Sequence, residues 1–305
     1  MTLRIREKRH SMSHIKRENL RLAIIMLAPI FVILMAVSVY PLIRSFDISL
    51  RLYNLTKPGL GTPYIGLENY RFVLTDARFW QSVKVTAVFV VISVTFVIVL
   101  STAIALLLNC EFRGRGIVRA LMLVPWAIPN VANGLMWLWI LNPSYGALNG
   151  LLSQLGLIDH YIVWLGDKRL ALIMVILAEA WKETPFIMLM ILAALQSIPK
   201  EMYEAAQVDG SRYFQTLFKI TLPMIRPTLF VAITLRTIWA IKSFDLIYTL
   251  TSGGPDNATS TIGYYTYLRS FISMNLGRGS AAAWLMTLVM IGLTVLYQRA
   301  LYMEE

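Results

Sequence analysis

Six charged residues stand inside stretches of sequence that are otherwise apolar. Glu179, Lys182 and Glu183 interrupt the run Leu170–Leu195, and Arg236, Lys242 and Asp245 interrupt the run Thr228–Thr251. On a helix, Glu179 lies three residues from Lys182 and four from Glu183, so the three share a face. A charge near the centre of a bilayer costs roughly 2.5–3.5 kcal/mol on insertion scales, so all six require partners or water. Two kinds of chemistry are open to them. They can pair with one another and hold a bundle together, or they can line a wet pathway and bind a polar solute or a cation. With a rise of 1.5 Å per residue, Lys242 comes about 21 Å up its run and Glu183 about 18 Å up the other, at a common level, with Asp245 higher and nearer Glu179.

Aromatic residues accompany these charges: Trp181, Phe186, Trp239, Phe244 and Tyr248. Sugars have apolar C–H faces that pack on rings and hydroxyls that need convergent polar groups, so this mixture fits a neutral polyhydroxylated solute. Ordinary bundle packing is the competing reading. A third run adds Pro125, Pro129, Asn130, Asn133 and Gly134. Prolines bend a helix and free carbonyls, which in membranes borders protein or a cavity. Asn130 and Asn133 then serve either a solute or a neighbouring helix.

Other chemistries are excluded by residue type. The single Cys110 forms no internal disulfide, and His10, His14 and His160 have no zinc spacing, so no metal site is expected. No G-x-x-x-x-G-K-[ST] motif is present, nor any Gly-Lys pair, so the chain carries no phosphate-binding loop and should bind no nucleotide cofactor by that route. No nucleophilic Ser or Cys arrangement stands out. No enzyme chemistry is marked by these residues, and if the chain moves a solute the energy comes from a partner or an ion gradient.

The elements that position these residues are apolar helices. Of 305 residues 57% are hydrophobic and 15% charged, where about a quarter is usual. The runs Leu22–Ile43, Val85–Leu108 and Ala120–Leu141 carry no charge, and each is long enough to span a bilayer. With Leu170–Leu195, Thr228–Thr251 and Ala281–Leu301 they give six transmembrane helices in an all-α polytopic membrane protein, both termini on one side. Seven of 28 basic residues precede the first run. The net charge of +11 is therefore an orientation signal rather than a nucleic-acid signature. With the N-terminus in the cytoplasm, Lys and Arg are about twice as dense on inner as on outer segments. The first apolar run is longer than a signal-peptide core and is expected to be retained. In the first outer loop, Gly66–Tyr70, Asp76 and Phe79–Trp80 read as short helices at the membrane surface.

Between the fourth and fifth runs lies EMYEAAQVDGSRYFQTLFKITLP, residues 201–223. Pro199 suits a first helical position, and Met202, Ala205 and Ala206 share a face. Gly210 is placed as a helix stop and Ser211 as the cap of a second helix bearing Phe214, Leu217 and Phe218. A helix of about nine residues is too short to stand alone in water. It either docks in a partner's groove or rests on the bilayer.

The pattern Glu204-Ala205-Ala206, Asp209-Gly210, Ile220, Leu222-Pro223 resembles the EAA loop of ABC importer permeases. Ala194–Pro199 before it, Phe244-Asp245 with Leu250–Pro255 after it, and Asn142-Pro143 with Gly146–Asn149 resemble signatures of the carbohydrate branch, the maltose, trehalose and glycerol-3-phosphate importers. Together they cover most of residues 22–302. The resemblance implies a core permease domain at 80–302 containing a coupling loop at 196–227, preceded by a basic tail (1–21) and a first helix with its external loop (22–79), and followed by a short cytoplasmic end (303–305). It implies a permease subunit in a bacterial inner membrane, working by alternating access on a di- or oligosaccharide. The implied partners are a second permease subunit, two ATPase subunits that bind ATP and Mg, and an external solute-binding protein. Glu204 would face a basic group of an ATPase, and the loop Gly253-Gly254-Pro255 would gate the pore or meet the binding protein. An ion-coupled secondary transporter using Glu179, Glu183 or Asp245 is the alternative, and predicts inverted repeats and broken helices.

Overall fold

The computed structural model describes Leu22 and residues 24–302. The basic tail, with His10 and His14, and the end at 303–305 lie outside the described residues. The architecture is all helical. The helices are α1 (Ile24–Ser49), α2 (Glu68–Thr75), α3 (Ala77–Asn109), α4 (Arg115–Ala127), α5 (Asn130–Ile140), α6 (Ala147–Gln154), α7 (Lys168–Gln196), α8 (Lys200–Val208), α9 (Tyr213–Met224), α10 (Arg226–Ile241), α11 (Asp245–Leu250), α12 (Ile262–Tyr267) and α13 (Leu276–Tyr302). A π-helical turn, Leu268–Ile272, prolongs α12. Only two isolated β-bridges, Arg51 to Tyr64 and Asn54 to Asn275, occur among the described residues.

The central unit is the pair α3 and α7. Phe89, Ser93, Val97, Ser101 and Ala105 are buried at every fourth position of α3. That stripe of mostly small residues lets another helix approach closely, which is how helices associate where no water drives them together. Ser93 Oγ donates to Glu179 Oε2 at 2.7 Å and Ser101 Oγ to the Thr184 carbonyl at 3.0 Å. Both positions advance together, so the two helices run parallel. At their far end Ala105 and Leu108 pack with Ile191, Leu192, Leu195, Ile198 and Ile225.

Three helices, α1, α3 and α13, are each long and apolar enough to cross a membrane. Two bent pairs pass only when joined, α4 with α5 at 95° and α9 with α10 at 67°. The uninterrupted run Ala120–Leu141 is thus corrected to two helices. Pro129 offers no N–H and pushes Ile128 into extended backbone, φ −75° and ψ 130°, which ends α4. The run Thr228–Thr251 is likewise divided, since α10 ends at Ile241 and α11 begins at Asp245. A second correction concerns Phe79–Trp80, which is no separate surface helix. Asp76 caps α3 by accepting the Arg78 N–H at 3.0 Å, so α3 begins well before the uncharged run and includes both aromatics. Along α1 only Ser49 is buried.

Candidate functional site

The charged residues converge where the broken helices meet α7. A cavity of about 350 Å³ is bounded by Asn130 and Asn133 of α5, Glu179, Lys182 and Glu183 of α7, Arg236 and Trp239 of α10, and Lys242, Ser243, Phe244 and Asp245 at the break before α11. Breaking α10 at 242–244 is what turns this end of the chain into the cavity. The approach of α5 is set by Gly134, where a Cβ would lie 1.8 Å from Thr249 Oγ1 of α11.

Within the cavity wall, Arg236 is fully buried and its Nη2 lies 2.8 Å from both Glu179 Oε2 and Ser93 Oγ. One guanidinium therefore ties α10 to α3 and α7. Lys182 Nζ pairs with Glu183 Oε1 at 3.1 Å. Asn133 donates to the Ala178 carbonyl at 3.1 Å, and Asn130 lies 3.5 Å from Asp245 Oδ2. Lys242 and Asp245 are exposed to the cavity, and Lys242 has no ion pair among the described residues. The pairing differs from the one expected by extrapolating straight helices. Glu183 meets Lys182 rather than Lys242, and Asp245 meets Asn130 rather than Glu179. The reason is the break, because a rise of 1.5 Å per residue does not hold beyond Ile241.

Aromatic groups close the cavity on one side. Trp126 of α4 stacks on Phe186 at 5.3 Å, and Phe186 meets Trp239 at 5.4 Å. Trp126 and Ser243 were not singled out from sequence. The signal that finds Trp126 is its place between Pro125 and Pro129, which turns it inward with the bend. Trp181 and Tyr248 are not in the cavity wall. Trp181 is exposed and packs edge-on against Trp137 at 6.4 Å, while Tyr248 stacks on Phe244 at 5.5 Å and is 45% exposed.

The segment 196–227 sits at the far end of α7. Helix α8 ends in a Schellman turn, with the Ser211 N–H donating to Ala206 O at 2.9 Å and the Gly210 N–H to Gln207 O at 3.0 Å. Gly210 has φ +70° and open space where a Cβ would stand, so its need is conformational. Glu204, Ala205 and Asp209 are exposed, whereas Ala206 is buried. The expected common face is thus corrected: Ala206 turns towards the bundle while Met202 and Ala205 remain outward. Tyr203 hydroxyl lies 3.3 Å from Thr221 Oγ1, and Tyr203 and Leu222 pack on the core around Ile198 and Ile225. Pro223 is exposed in α9. The cap of α9 is Arg212 rather than Ser211, the Arg212 N–H donating to Gln215 Oε1 at 2.9 Å.

On the opposite side, Gly253 has φ +75° and lies against the Tyr264 ring, 2.5 Å from where its Cβ would be. Beyond Gly254 and Pro255, Asp256 pairs with Lys168 Nζ at 2.6 Å. Asn149 is fully buried and joins α6 to 162–164, donating to Ile162 O and accepting from Ile162 N–H and Trp164 Nε1. Asp76 accepts from the Tyr265 hydroxyl at 2.7 Å and from Arg269. Burial opposes ionisation of Asp76, but bonds from Tyr265, the Arg78 N–H and Arg269 outweigh it and hold the carboxyl below its usual range. Burial, and then the bond to Asp76, push the Tyr265 hydroxyl up to about 12.

Residues 98–303 match the family model described as binding-protein-dependent transport system inner membrane component. The chain is 38% identical over 288 residues to the trehalose/maltose transport system permease protein MalF of Thermococcus litoralis, covering 93% of this chain and 95% of the relative. It is 36% identical over 284 residues to the sulfoquinovosyl glycerol transport system permease protein SmoG of Agrobacterium fabrum, covering 93% and 91%. Among solved structures, a bacterial alginate ABC transporter in complex with its alginate pentasaccharide-bound periplasmic protein aligns with a TM-score of 0.79 at 26% identity, covering 93% of this chain and 94% of that one. The chain belongs to the family of binding-protein-dependent transport system inner-membrane components.

Proposed function

We propose that this chain is one of two permease subunits of an ATP-driven importer for a neutral di- or oligosaccharide. The observation that carries the reading is the placement of the two sites on α7. The middle of this 29-residue helix lines the cavity through Glu179, Lys182 and Glu183, and its C-terminal end leads into α8, which presents Glu204 and Ala205 outward. A partner that grips α8 can therefore move the cavity wall. The partner would be an ATPase in the cytoplasm holding ATP and Mg, with a binding protein delivering sugar to the opposite face. Glu204, Asp209, Gly210 and Pro223 would make the ATPase contact, and Gly253–Pro255 would lie on the delivery side. Alternating access then requires that nucleotide bind the two states with different affinity.

The substrate class is supported by the cavity's charge. Its three acids, Glu179, Glu183 and Asp245, balance its three bases, Lys182, Arg236 and Lys242. A neutral solute would meet a donor, Lys242, without an ion pair among the described residues, and an acceptor, Asp245, whose side chain is held among them only by Asn130, with aromatic rings beside them. The relatives named for trehalose, maltose and sulfoquinovosyl glycerol point to glycosides. Broken helices also suit a secondary transporter, but no comparison supports that reading.

The test is Glu204→Lys in the complete complex in liposomes. Uptake should fall at least tenfold while ATP hydrolysis continues and the helical content is unchanged. Normal uptake would rule out docking through α8.

A further inference from the structure

Four aromatic residues, Phe244, Tyr248, Tyr267 and Phe271, form one connected strip leading away from the cavity. Phe244 stands on the cavity wall. Its ring centroid is 5.5 Å from that of Tyr248 and 4.9 Å from that of Tyr267, and Tyr267 is 5.6 Å from Phe271. Tyr248 and Tyr267 meet edge to face at 5.4 Å. The strip thus runs from the cavity to Phe271, which is 61% exposed. Tyr264 lies beneath it, buried against Phe244.

The strip is held in place. Thr261 Oγ1 donates to the Ser243 carbonyl at 3.2 Å, and the Ile262 N–H donates to Thr86 Oγ1 of α3 at 2.9 Å. A Cβ on Gly263 would come 3.4 Å from the same Ser243 carbonyl, so α12 rests directly on the break that carries Phe244. Phe244, Tyr248 and Tyr267 thus form a fixed triangle of rings, continued outward by Phe271.

Connected, partly exposed aromatic rings call for a partner. Lipid would be met equally well by leucine. A sugar ring differs in having an apolar face and a hydroxyl edge, which suits Tyr and Phe with their flat apolar faces and, for Tyr, a polar tip. Continuity with the cavity decides the occupant. At about 350 Å³ the cavity lies near the small end of ligand sites, roughly 300–1,000 Å³. An oligosaccharide entering it leaves further units outside.

We propose that Phe244, Tyr248, Tyr267 and Phe271 form a stacking track that holds the trailing glycosyl units of an oligosaccharide while its leading unit occupies the cavity. This rests on the sugar reading above. The test uses the complete transporter in liposomes, with loaded binding protein and radiolabelled maltose or maltotetraose. In Tyr267→Leu and in Phe271→Leu, the ratio of tetrasaccharide to disaccharide uptake should fall about fivefold or more, the loss of roughly one ring contact. Tyr267→Phe should restore it. An unchanged ratio overturns the track. So does an equal loss of both sugars, which would make the strip an assembly or lipid surface. A wild type that imports maltose but no tetrasaccharide overturns the track and leaves the sugar reading standing. Failure to import either sugar overturns both.

Discussion

Arg236 shows how one side chain can be structural inside a cavity wall. It has no exposed surface, and its Nη2 satisfies Glu179 and Ser93 while Nε and Nη1 find no protein partner. A buried pair adds little over an apolar replacement, yet removing one member leaves the other charge uncompensated, at a cost of about 3–5 kcal/mol. Arg236→Met should therefore lower the unfolding midpoint of the detergent-solubilised protein sharply. Combining it with Glu179→Leu should recover most of the loss. Equal instability of the single and double variants would show that Arg236 acts by packing and not by pairing. Lys242 and Asp245 lack such burial, so their removal should leave the midpoint nearly unchanged.

At the level of elements, the outer segment is fastened by Asp76, which both caps α3 and holds Tyr265 and Arg269. Arg278 adds a contact over the Phe72 ring at 3.4 Å. The Asp76 carboxyl titrates below its ordinary 3.8, so its stabilisation is present above that pH and is lost as pH falls through the lower, folded value. Tyr265 is shifted from 10.0 to about 12, so its contribution is present below pH 10 and is lost as pH rises towards 12. The difference in unfolding midpoint between wild type and Asp76→Asn should be flat from about pH 5 to 9 and shrink on both sides. A difference that varies across that plateau would assign the fastening to other groups. None of this fastening was legible in sequence, because Asp76 lies nearly two hundred residues from Arg269 and shares no local pattern with it. The apolar runs, the short α8 and the Gly210 stop were legible, since each rests on local periodicity or backbone preference. The gathering of Glu183, Lys242 and Asp245 around one space was anticipated from helix rise, but their partners were not. Pro129 and the break at 242–244 redirect the helices, and sequence periodicity carries no angle.

At the scale of the whole molecule, the proposed coupling requires that a push on α8 arrive at the cavity with its displacement intact. Thirteen residues separate Glu183 from Gln196, about 20 Å of α-helix. The parallel partner α3 packs along that length, Ser101 donating to the Thr184 carbonyl and Ala105 and Leu108 lying in one cluster with Ile191, Leu192 and Leu195. The push would enter through the seat between α8 and the helix ends, where Tyr203, Ile198, Leu222 and Ile225 pack together. Close-packed interfaces pass on displacement because they resist continuous deformation, whereas a void absorbs it. Ile225 is 1% exposed, so Ile225→Ala opens a void costing about 2–5 kcal/mol locally. It removes no group from the outward face of α8 or from the cavity. ATP consumed per sugar imported should therefore rise several-fold in Ile225→Ala, with ATPase binding retained. The intermediate Ile225→Val should give an intermediate ratio. If both variants keep the wild-type ratio while their unfolding midpoints fall, the seat contributes stability alone, and force must reach α7 by a route that bypasses Ile225.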